Sequence, residues 1–354
     1  MILAIYHGTD MDGWTSASIV KKYFNSKNIY QIHFLPFNLT NEKQIIDCTN
    51  AYIAMEKQHH REPNIYMLDC TLNLNYLKTI APYVTHIDHH KSVIENPMYQ
   101  DIRKMLKGDY SSVKGIVQGE TEPVQIAACE LTWDTLFPDQ AQPLFVHLAG
   151  RHDVWDKQDP RADEFNAFIR NPGSEFFVKK YHWTFMEPWF EKLYDDDFVT
   201  SICLPRGQVM LQYQRESWAA EARTGATLYY HPDGYQIAVA NRSNVNSEYF
   251  TELCISSPQL AIGIVYTHKI RQSVITISFF TLNKSSKAAA LEVMSEFTAT
   301  EGLKILTKGG HLHACGCTIS DECLPIFRTW LSRNNLIVKE KLLNRITKEN
   351  LFKR

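Results

Sequence analysis

The chain lacks the long apolar runs and the strong net charge that would mark a membrane protein or a general polyanion binder. No apolar stretch approaches the roughly 18 residues that a membrane-spanning helix needs. The 354 residues carry a formal net charge of −2, so no overall charge attracts nucleic acid or a membrane surface. The opening apolar run ends at His7, which is too early for a signal peptide. We therefore expect no membrane partner, and we expect any anionic substrate to be held by a local site.

Several other signatures are also missing. The sequence contains no internal repeat, no low-complexity tract, no Walker phosphate-binding loop and no GxSxG nucleophile motif. Its eight cysteines are scattered through a large chain without an export signal, which favours reduced thiols and a cytoplasmic protein. These absences argue against nucleotide hydrolysis through a P-loop and against a serine hydrolase.

What is present in the first half is an alternation of short apolar strands with helical patterns. This alternation predicts an α/β fold with a doubly wound parallel sheet. The predicted strands are 2–6, 29–35, 64–69 and 84–88, and the predicted helices are 13–24, 42–57, 74–81, 123–137 and 143–150.

The pattern changes after residue 195, where strands lie close together. Strands are predicted at 226–230, 235–240, 260–267 and 273–280, with a helix at 286–297. We therefore predict a smaller α/β domain joined to the first by a helical linker. The predicted boundaries are a catalytic metal-binding domain at 1–195, a linker helix at 196–225, a substrate-binding domain at 226–320 and a helical tail at 321–354.

Polar motifs follow three of the predicted strands, and a fourth follows an apolar helix. Carboxyl ends of parallel strands share one edge, where open α/β sheets bind their ligands. Carboxylates gathered there would repel one another unless cations neutralised them. Four aspartates with two or three histidines suit two octahedral ions of the Mn or Mg type. The residues are His7, Asp10, Asp12, Asp69, Asp88, His89, His90 and Asp153.

Each motif also has a structural interpretation when taken alone. Residues 10–13, "DMDG", are typical of a solvated turn. Asp69 could cap the helix that follows it. Adjacent histidines occur by chance, as in "QHH" at 58–60. The metal hypothesis therefore depends on the convergence of independent motifs at one edge of the sheet.

The motifs "HGTDMDG", "LDC", "IDHHKS" and "GRHDVWD" occur in that order. With "GGHLHACG" at 309–316, they resemble the signatures of DHH-superfamily phosphoesterases that carry a DHH-associated C-terminal domain, the group of RecJ exonucleases and oligoribonuclease or nanoRNase enzymes. The resemblance covers most of residues 1–320. It implies a parallel-sheet catalytic domain, a mobile smaller domain, and two divalent ions, with Mn preferred and Mg or Co possible.

The resemblance also implies a role for each site residue. His7 and Asp10 would bind one ion, and Asp12, His89 and Asp153 would bind the second. Asp69 would bridge both ions. His90 would face the substrate phosphate, and Asp88 would orient the histidines.

In the second domain, we predict that Gly309 and Gly310 form a loop whose backbone amides approach a phosphate, with His311 donating to it and Arg242 and Lys284 as possible further contacts. Two alternatives remain for this segment: a purely structural turn, or a soft-metal site formed by alternating histidines and cysteines. Arg242 and Lys284 are individually more typical of ordinary surface charges than of phosphate contacts. Residues 338–354 form a basic amphipathic pattern, typical of a helix that contacts its own domain or a partner subunit.

The sequence thus predicts a Mn-dependent phosphoesterase that hydrolyses phosphodiester or phosphomonoester bonds with a two-metal-activated water. The expected substrate is a short single-stranded oligonucleotide or a small nucleotide, and a homo-oligomer is possible. The alternatives are an inorganic pyrophosphatase or polyphosphatase, and a non-catalytic nucleotide-binding protein. The chain departs from the family pattern in two places. His7 lies three residues before Asp10, where many members have four, and the predicted strand 273–280 lacks the arginine that members often carry there. These departures leave the substrate open.

Overall fold

The structure is a computed structural model that describes residues 1–38, 40–117, 122–170, 190–231, 233–243, 245–283, 289–310 and 314–333. The chain divides into a first compact unit, Met1–Leu211, and a second that begins at Gln212. The division falls inside one helix, Leu204–Gly225. The functional roles predicted for the two domains stay predictions.

The first unit contains a five-stranded sheet in the order β2-β1-β3-β4-β5. Every neighbouring pair in it is parallel, so the predicted parallel sheet is confirmed. A separate two-stranded ribbon lies outside it. The strands of this unit are β1 (Ile2–His7), β2 (Ile32–Phe37), β3 (Ile65–Leu68), β4 (Val84–Ile87), β5 (Gly108–Asp109), β6 (Lys114–Gly115) and β7 (Val124–Gln125).

Helices cover both faces of the parallel sheet. Along β1, Ala4 and Tyr6 enter one apolar core and Leu3 and Ile5 enter another, because successive strand residues point to opposite faces. Helices α1, α6 and α7 contribute to the first core, and α2, α3 and α5 to the second. The helices are α1 (Met11–Ser26), α2 (Glu42–Gln58), α3 (Leu74–Ile80), α4 (Lys91–Ile94), α5 (Pro97–Ile102), α6 (Ala128–Leu136), α7 (Leu144–Asp153), α8 (Arg161–Arg170), α9 (Asp196–Phe198) and α10 (Leu204–Gly225).

The second unit is built on a six-stranded mixed sheet in the order β12-β13-β11-β10-β9-β8. Strands β9 and β10 pair in parallel, and the other neighbours are antiparallel. Helices α12 and α13 pack on one apolar core, while α11 and the end of α10 contribute to another. The elements are β8 (Thr227–Tyr230), β9 (Gln236–Asn241), α11 (Thr251–Ser256), β10 (Leu260–Lys269), β11 (Val274–Thr281), α12 (Ala290–Thr298), β12 (Ile305–Gly310), β13 (Ala314–Ser320) and α13 (Leu324–Arg333).

Two local predictions are wrong. Gly309 and Gly310 were expected in a loop, but they form the end of β12, where they pair with β13. The helix predicted at 123–137 begins only at Ala128, because residues 124–125 form a strand instead. Within the described residues, no helix is long and apolar enough to cross a membrane. All eight cysteines are free thiols.

A buried ion pair ties α6 to α7. Arg151 Nε donates to Glu130 Oε1 over 3.0 Å, and one Arg151 Nη also donates to the Gln125 carbonyl at 2.9 Å. Glu130 in turn accepts from the Ala127 backbone N–H at 3.0 Å, at the start of α6. Both charged side chains are buried. The pair therefore fixes the beginning of α6 against the last turn of α7, the turn that carries Asp153.

Arg151→Met should destabilise the first unit by about 3–5 kcal/mol, because it leaves the Glu130 carboxylate buried without its partner. The control is Arg161→Met, which breaks a half-exposed pair with Asp159 and should cost less than about 1 kcal/mol. The measurement is urea unfolding of the full chain. Adding Glu130→Gln to Arg151→Met should recover part of the loss. Equal effects of the two arginine changes would contradict the structural role given to Arg151.

Candidate metal centre

The predicted polar motifs meet at the carboxyl edge of the parallel sheet. β1 ends at His7, β3 ends one residue before Asp69, and β4 ends one residue before Asp88. The register pairs Tyr6 with Leu68, and Leu68 with Ile87, so the three strand ends are level. The residues that follow them must therefore lie side by side.

One group of donors consists of His7, Asp10 and Asp69, whose ligand atoms all lie within 4.8 Å of one another. His7 Nδ1 is 2.8 Å from Asp10 Oδ2 and 3.4 Å from Asp69 Oδ2. Asp10 is also the N-cap of α1 and accepts from the Gly13 backbone N–H at 3.2 Å. The cap fixes the Asp10 side chain beside the end of β1.

A second group consists of Asp12, His89 and Asp153. His89 Nε2 lies 3.6 Å from Asp12 Oδ2 and 3.2 Å from Asp153 Oδ2. The same nitrogen is 3.4 Å from Asp69 Oδ1, and a third group joins Asp69 and His89 with His90. Asp69 and His89 thus link the groups into one continuous cluster.

Asp12 shows that "DMDG" is not a solvated turn. Its side chain is 1 % exposed and lies at the beginning of α6. It accepts from the backbone N–H groups of Ala128 at 2.9 Å and Cys129 at 2.6 Å. The first N–H groups of a helix have no partner within the helix, and they stabilise an anion. The chain therefore compensates this buried carboxylate with a helix N-terminus.

Gly13 allows α1 to begin directly against the end of β1. A Cβ atom at this position would lie 2.1 Å from the His7 carbonyl oxygen, which no side chain can tolerate. The glycine therefore permits the close approach that places Asp10 and Asp12 beside His7.

Asp69 lies at the centre of the cluster with a left-handed backbone. Its φ is +54°, a region that few non-glycine residues adopt, with aspartate among the more tolerant of them. The interpretation of Asp69 as a helix cap is wrong, because Asn73 caps α3 by accepting from the Asn75 N–H. Asp69 is 2 % exposed, and its Oδ1 accepts no well-aligned hydrogen bond from the described residues, although His89 Nε2 lies 3.4 Å away. This buried carboxylate oxygen is therefore only weakly satisfied by protein donors.

Asp88 lies just behind the cluster, with donors to both of its oxygens. Its Oδ1 accepts from the backbone N–H groups of His89 and His90, at 2.7 and 3.1 Å, and lies 2.6 Å from His90 Nδ1. The Thr71 hydroxyl donates to Oδ2 at 2.8 Å. Asp88 therefore fixes the tautomer and the orientation of the His90 ring instead of facing the other carboxylates.

A buried polar network supports Asp88 from below. His86 Nε2 donates to the Cys70 carbonyl at 3.1 Å, so its Nδ1 is the acceptor and faces the Tyr99 hydroxyl at 2.6 Å and the Ser111 hydroxyl at 3.0 Å. The Asp88 backbone N–H donates to Ser111 at 3.1 Å. Burial lowers the pKa of His86, in keeping with a neutral ring. This network was not predicted from the sequence, although His86 and Asp88 alternate at the end of β4 and so point to one face.

The carboxylates shift one another's protonation strongly. Burial raises the pKa of Asp153 to about 7, and repulsion by Asp69 adds to it. Burial and Asp69 likewise raise the pKa of Asp12. Although burial opposes a charged imidazole, hydrogen bonds with Asp10 and Asp69 raise the pKa of His7 to about 11. In the absence of metal ions, protons on His7 and Asp153 therefore offset part of the negative charge of the cluster.

The donor set fits divalent ions. It offers carboxylate oxygens and imidazole nitrogens without sulfur, the combination that suits Mn, Mg and related ions better than a structural zinc. Asp69 belongs to two of the three donor groups, as a residue shared by two ions would. These observations support the predicted ligand assignment, which stays a prediction.

The predicted substrate contacts of the second unit have less support. Gly310 has φ +127°, and a Cβ there would lie 2.5 Å from Cys315 Cα, so this glycine is needed for strand pairing whatever else it does. Arg242 is paired with Glu221, Nε to Oε2 at 3.2 Å. His311, Lys284 and the tail at 338–354 lie outside the described residues.

No protein-family model and no curated protein sequence matches the chain, but solved structures do. A DHH domain described as coming from a member of a family of ribosomal proteins is similar with a TM-score of 0.51 at 11% identity, over 99% of this chain and 86% of that one. The chain has the fold of a DHH domain. The fold implied by the sequence motifs is therefore confirmed.

Two further structures are similar to the DHH-type fold of this chain. The pGpG-specific phosphodiesterase PggH from Vibrio cholerae has a TM-score of 0.47 at 12% identity, over 94% of this chain and 99% of its own. RecJ in complex with Mn²⁺ from Thermus thermophilus has a TM-score of 0.43 at 12% identity, over 95% of this chain and 53% of its own.

Asp69→Asn should abolish metal binding more completely than any other single change in the cluster, because it removes charge from the residue shared by two donor groups. Elemental analysis after gel filtration in Mn²⁺ should find about two ions per wild-type chain and fewer than about one per variant chain. The matched control is Asp101→Asn, an exposed aspartate, which should leave the metal content unchanged. Normal metal content in Asp69→Asn would exclude the bridging role.

Substitutions of the two adjacent histidines should have different effects on the metal content. His89→Ala should lower the metal content, since His89 Nε2 contacts three carboxylates. His90→Ala should retain the metal and reduce turnover, because the His90 ring is held by Asp88. Equal metal loss in both variants would contradict the distinction between a ligand and a substrate contact.

Proposed function

We propose that this protein is a divalent-metal-dependent phosphoesterase, active in the cytoplasm, that hydrolyses phosphodiester or phosphomonoester bonds of short oligonucleotides or small nucleotides. The observation that carries the proposal is that Asp69 belongs to two of the three donor groups at the edge of the sheet. The eight free thiols fit a reducing compartment.

Two ions, preferably Mn²⁺, would be held by residues of the first unit. His7 and Asp10 would bind one ion, and Asp12, His89 and Asp153 the other, with Asp69 shared between them. When bound, the ions would acidify the attacking water and neutralise charge on the phosphoryl group. This arrangement needs no protein nucleophile.

His90 would bind the substrate phosphate. Its Nδ1 donates to Asp88, so Nε2 is the ring atom that would meet a phosphate oxygen. Although burial opposes its charge, Asp88 raises the pKa of His90 to about 9. Asp88 would thus favour a ring that donates from Nε2 to the developing negative charge. Asp88 and Thr71 would keep that donor aimed without contacting the substrate.

The second unit would bind the part of the substrate remote from the scissile bond. Gly309, Gly310, His311 and Arg242 remain the proposed contacts, and remote contacts of this kind contribute to turnover as well as to affinity. A possible homo-oligomer also stays a proposal. No specific observation in the structure favours pyrophosphate, polyphosphate or a purely binding role over an ester substrate.

The proposal is tested by incubating purified protein and Mn²⁺ with dinucleotides, longer single-stranded oligomers, a nucleotide bisphosphate, cyclic dinucleotides and pyrophosphate. We expect hydrolysis of at least one nucleotide ester, loss of activity in excess chelator, and a loss of several orders of magnitude in Asp69→Asn. Exclusive hydrolysis of pyrophosphate would favour the pyrophosphatase alternative. Tight nucleotide binding without any hydrolysis would favour a binding protein.

A further inference from the structure

Helix α7, which carries Asp153, ends in a turn that normally requires glycine but here contains tryptophan. The Trp155 N–H donates to the His152 carbonyl at 3.1 Å, and the Asp156 N–H donates to the Arg151 carbonyl at 2.8 Å. This is the hydrogen-bond pattern of a Schellman motif, with Trp155 at its left-handed position. The φ of Trp155 is +58°. Since a bulky residue is strained in this conformation, local folding does not explain the tryptophan.

Contacts of the flanking residues hold the backbone of this turn in place. Arg151 Nη1 lies 3.3 Å from Asp156 Oδ2, and the buried Glu130 holds the same guanidinium from the other side. The residues on both sides of Trp155 are therefore anchored to the core of the first unit.

The indole itself is oriented but is not buried. Lys157 Nζ lies 3.7 Å from the centroid of the indole ring and is itself held by Asp163 Oδ1 and Oδ2, both at 2.7 Å. Trp155 nevertheless remains 38 % exposed. Trp155 thus combines a strained backbone with an exposed ring that Lys157 holds in place. Such a ring can stack against a planar ligand.

Trp155 also lies close to the metal centre. Only one residue separates it from Asp153, so the two Cα atoms are no more than about 7.6 Å apart. Asp153 Oδ2 is in turn 3.2 Å from His89 Nε2. The stacking surface and a residue of the cluster are thus carried by the same short turn.

We propose that Trp155 is a stacking platform for a nucleobase of the substrate. The inference rests on the proposed function and narrows it. Stacking on an aromatic ring accepts any base because every base has a π face, whereas pyrophosphate and polyphosphate offer nothing to stack. The site therefore selects nucleotide esters and discriminates weakly among bases at this position.

The test compares wild type, Trp155→Ala, Trp155→Phe and Trp155→Gly on a dinucleotide and on the same compound with an abasic site in place of one or the other base. Trp155→Ala should raise KM for the dinucleotide about 10-fold to 100-fold while changing kcat little. For the abasic compound that lacks the stacked base, the KM values of wild type and Trp155→Ala should agree. Trp155→Phe should recover most of the affinity. Tyr30→Ala, at a 70 % exposed aromatic residue, is the matched control and should change neither value.

Thermal unfolding separates the substrate contact from a structural role. Glycine accepts a positive φ without strain, so Trp155→Gly should melt at a higher temperature than Trp155→Ala and yet share its high KM. An unchanged dinucleotide KM in Trp155→Ala, or an equal increase on the dinucleotide and both abasic compounds, would overturn the inference while leaving the proposed function intact.

A calorimetric measurement of dinucleotide binding gives a second readout that needs no turnover. Trp155→Ala should raise the dissociation constant by the same factor as KM. An equal dissociation constant in wild type and variant would contradict the proposed stacking of a base on Trp155. A wild-type protein that hydrolyses no nucleotide ester would instead refute the proposed function itself.

Discussion

The mutual repulsion of buried carboxylates at one edge of the sheet is the constraint on which the rest of the first unit depends. Asp12, Asp69 and Asp153 all approach His89 Nε2 within 3.6 Å, and the burial of Asp12 and Asp69 weakens the screening of this charge by water. Each carboxylate has a different compensation. Asp12 has two helix N–H groups, and Asp69 has His7 and His89. Asp153 has His89, while burial and repulsion by Asp69 raise its pKa.

The parallel topology produces this crowding at little cost to the fold. Level strand ends bring residues separated by tens of positions into contact, and the left-handed backbone of Asp69 turns its carboxylate back toward the neighbouring strands. Gly13 removes the steric barrier to α1, and the Glu130–Arg151 pair fixes α6 and α7. The strain and the buried charges lie within one small region, while two apolar cores on the faces of the sheet supply the stability that they require.

Much of the fold and of the candidate site could be predicted from the sequence, because the strongest signals are short-range. Short apolar runs predicted the strands, and the polar motifs that follow these runs contain the residues of the donor groups. The sequence did not indicate the left-handed backbone conformation of Asp69, because an aspartate before a predicted helix is equally typical of a helix cap. Nor did it reveal the contact of Asp12 with α6, which lies far along the chain. The hydrogen bonds of Ser111 and Tyr99 likewise join positions that share no local pattern.

Helix α7 shows how structural and functional requirements become coupled in one segment. Arg151 stabilises the fold through Glu130 and also anchors the turn through Asp156, while Asp153 faces the carboxylate cluster and Trp155 faces solvent. These residues alternate along one helix end, so the position of the indole relative to the cluster is determined by the same ion pair that holds α6. In the proposed nucleotide complex, the buried Glu130–Arg151 pair would therefore fix both a metal ligand and the stacking ring on one segment of the chain.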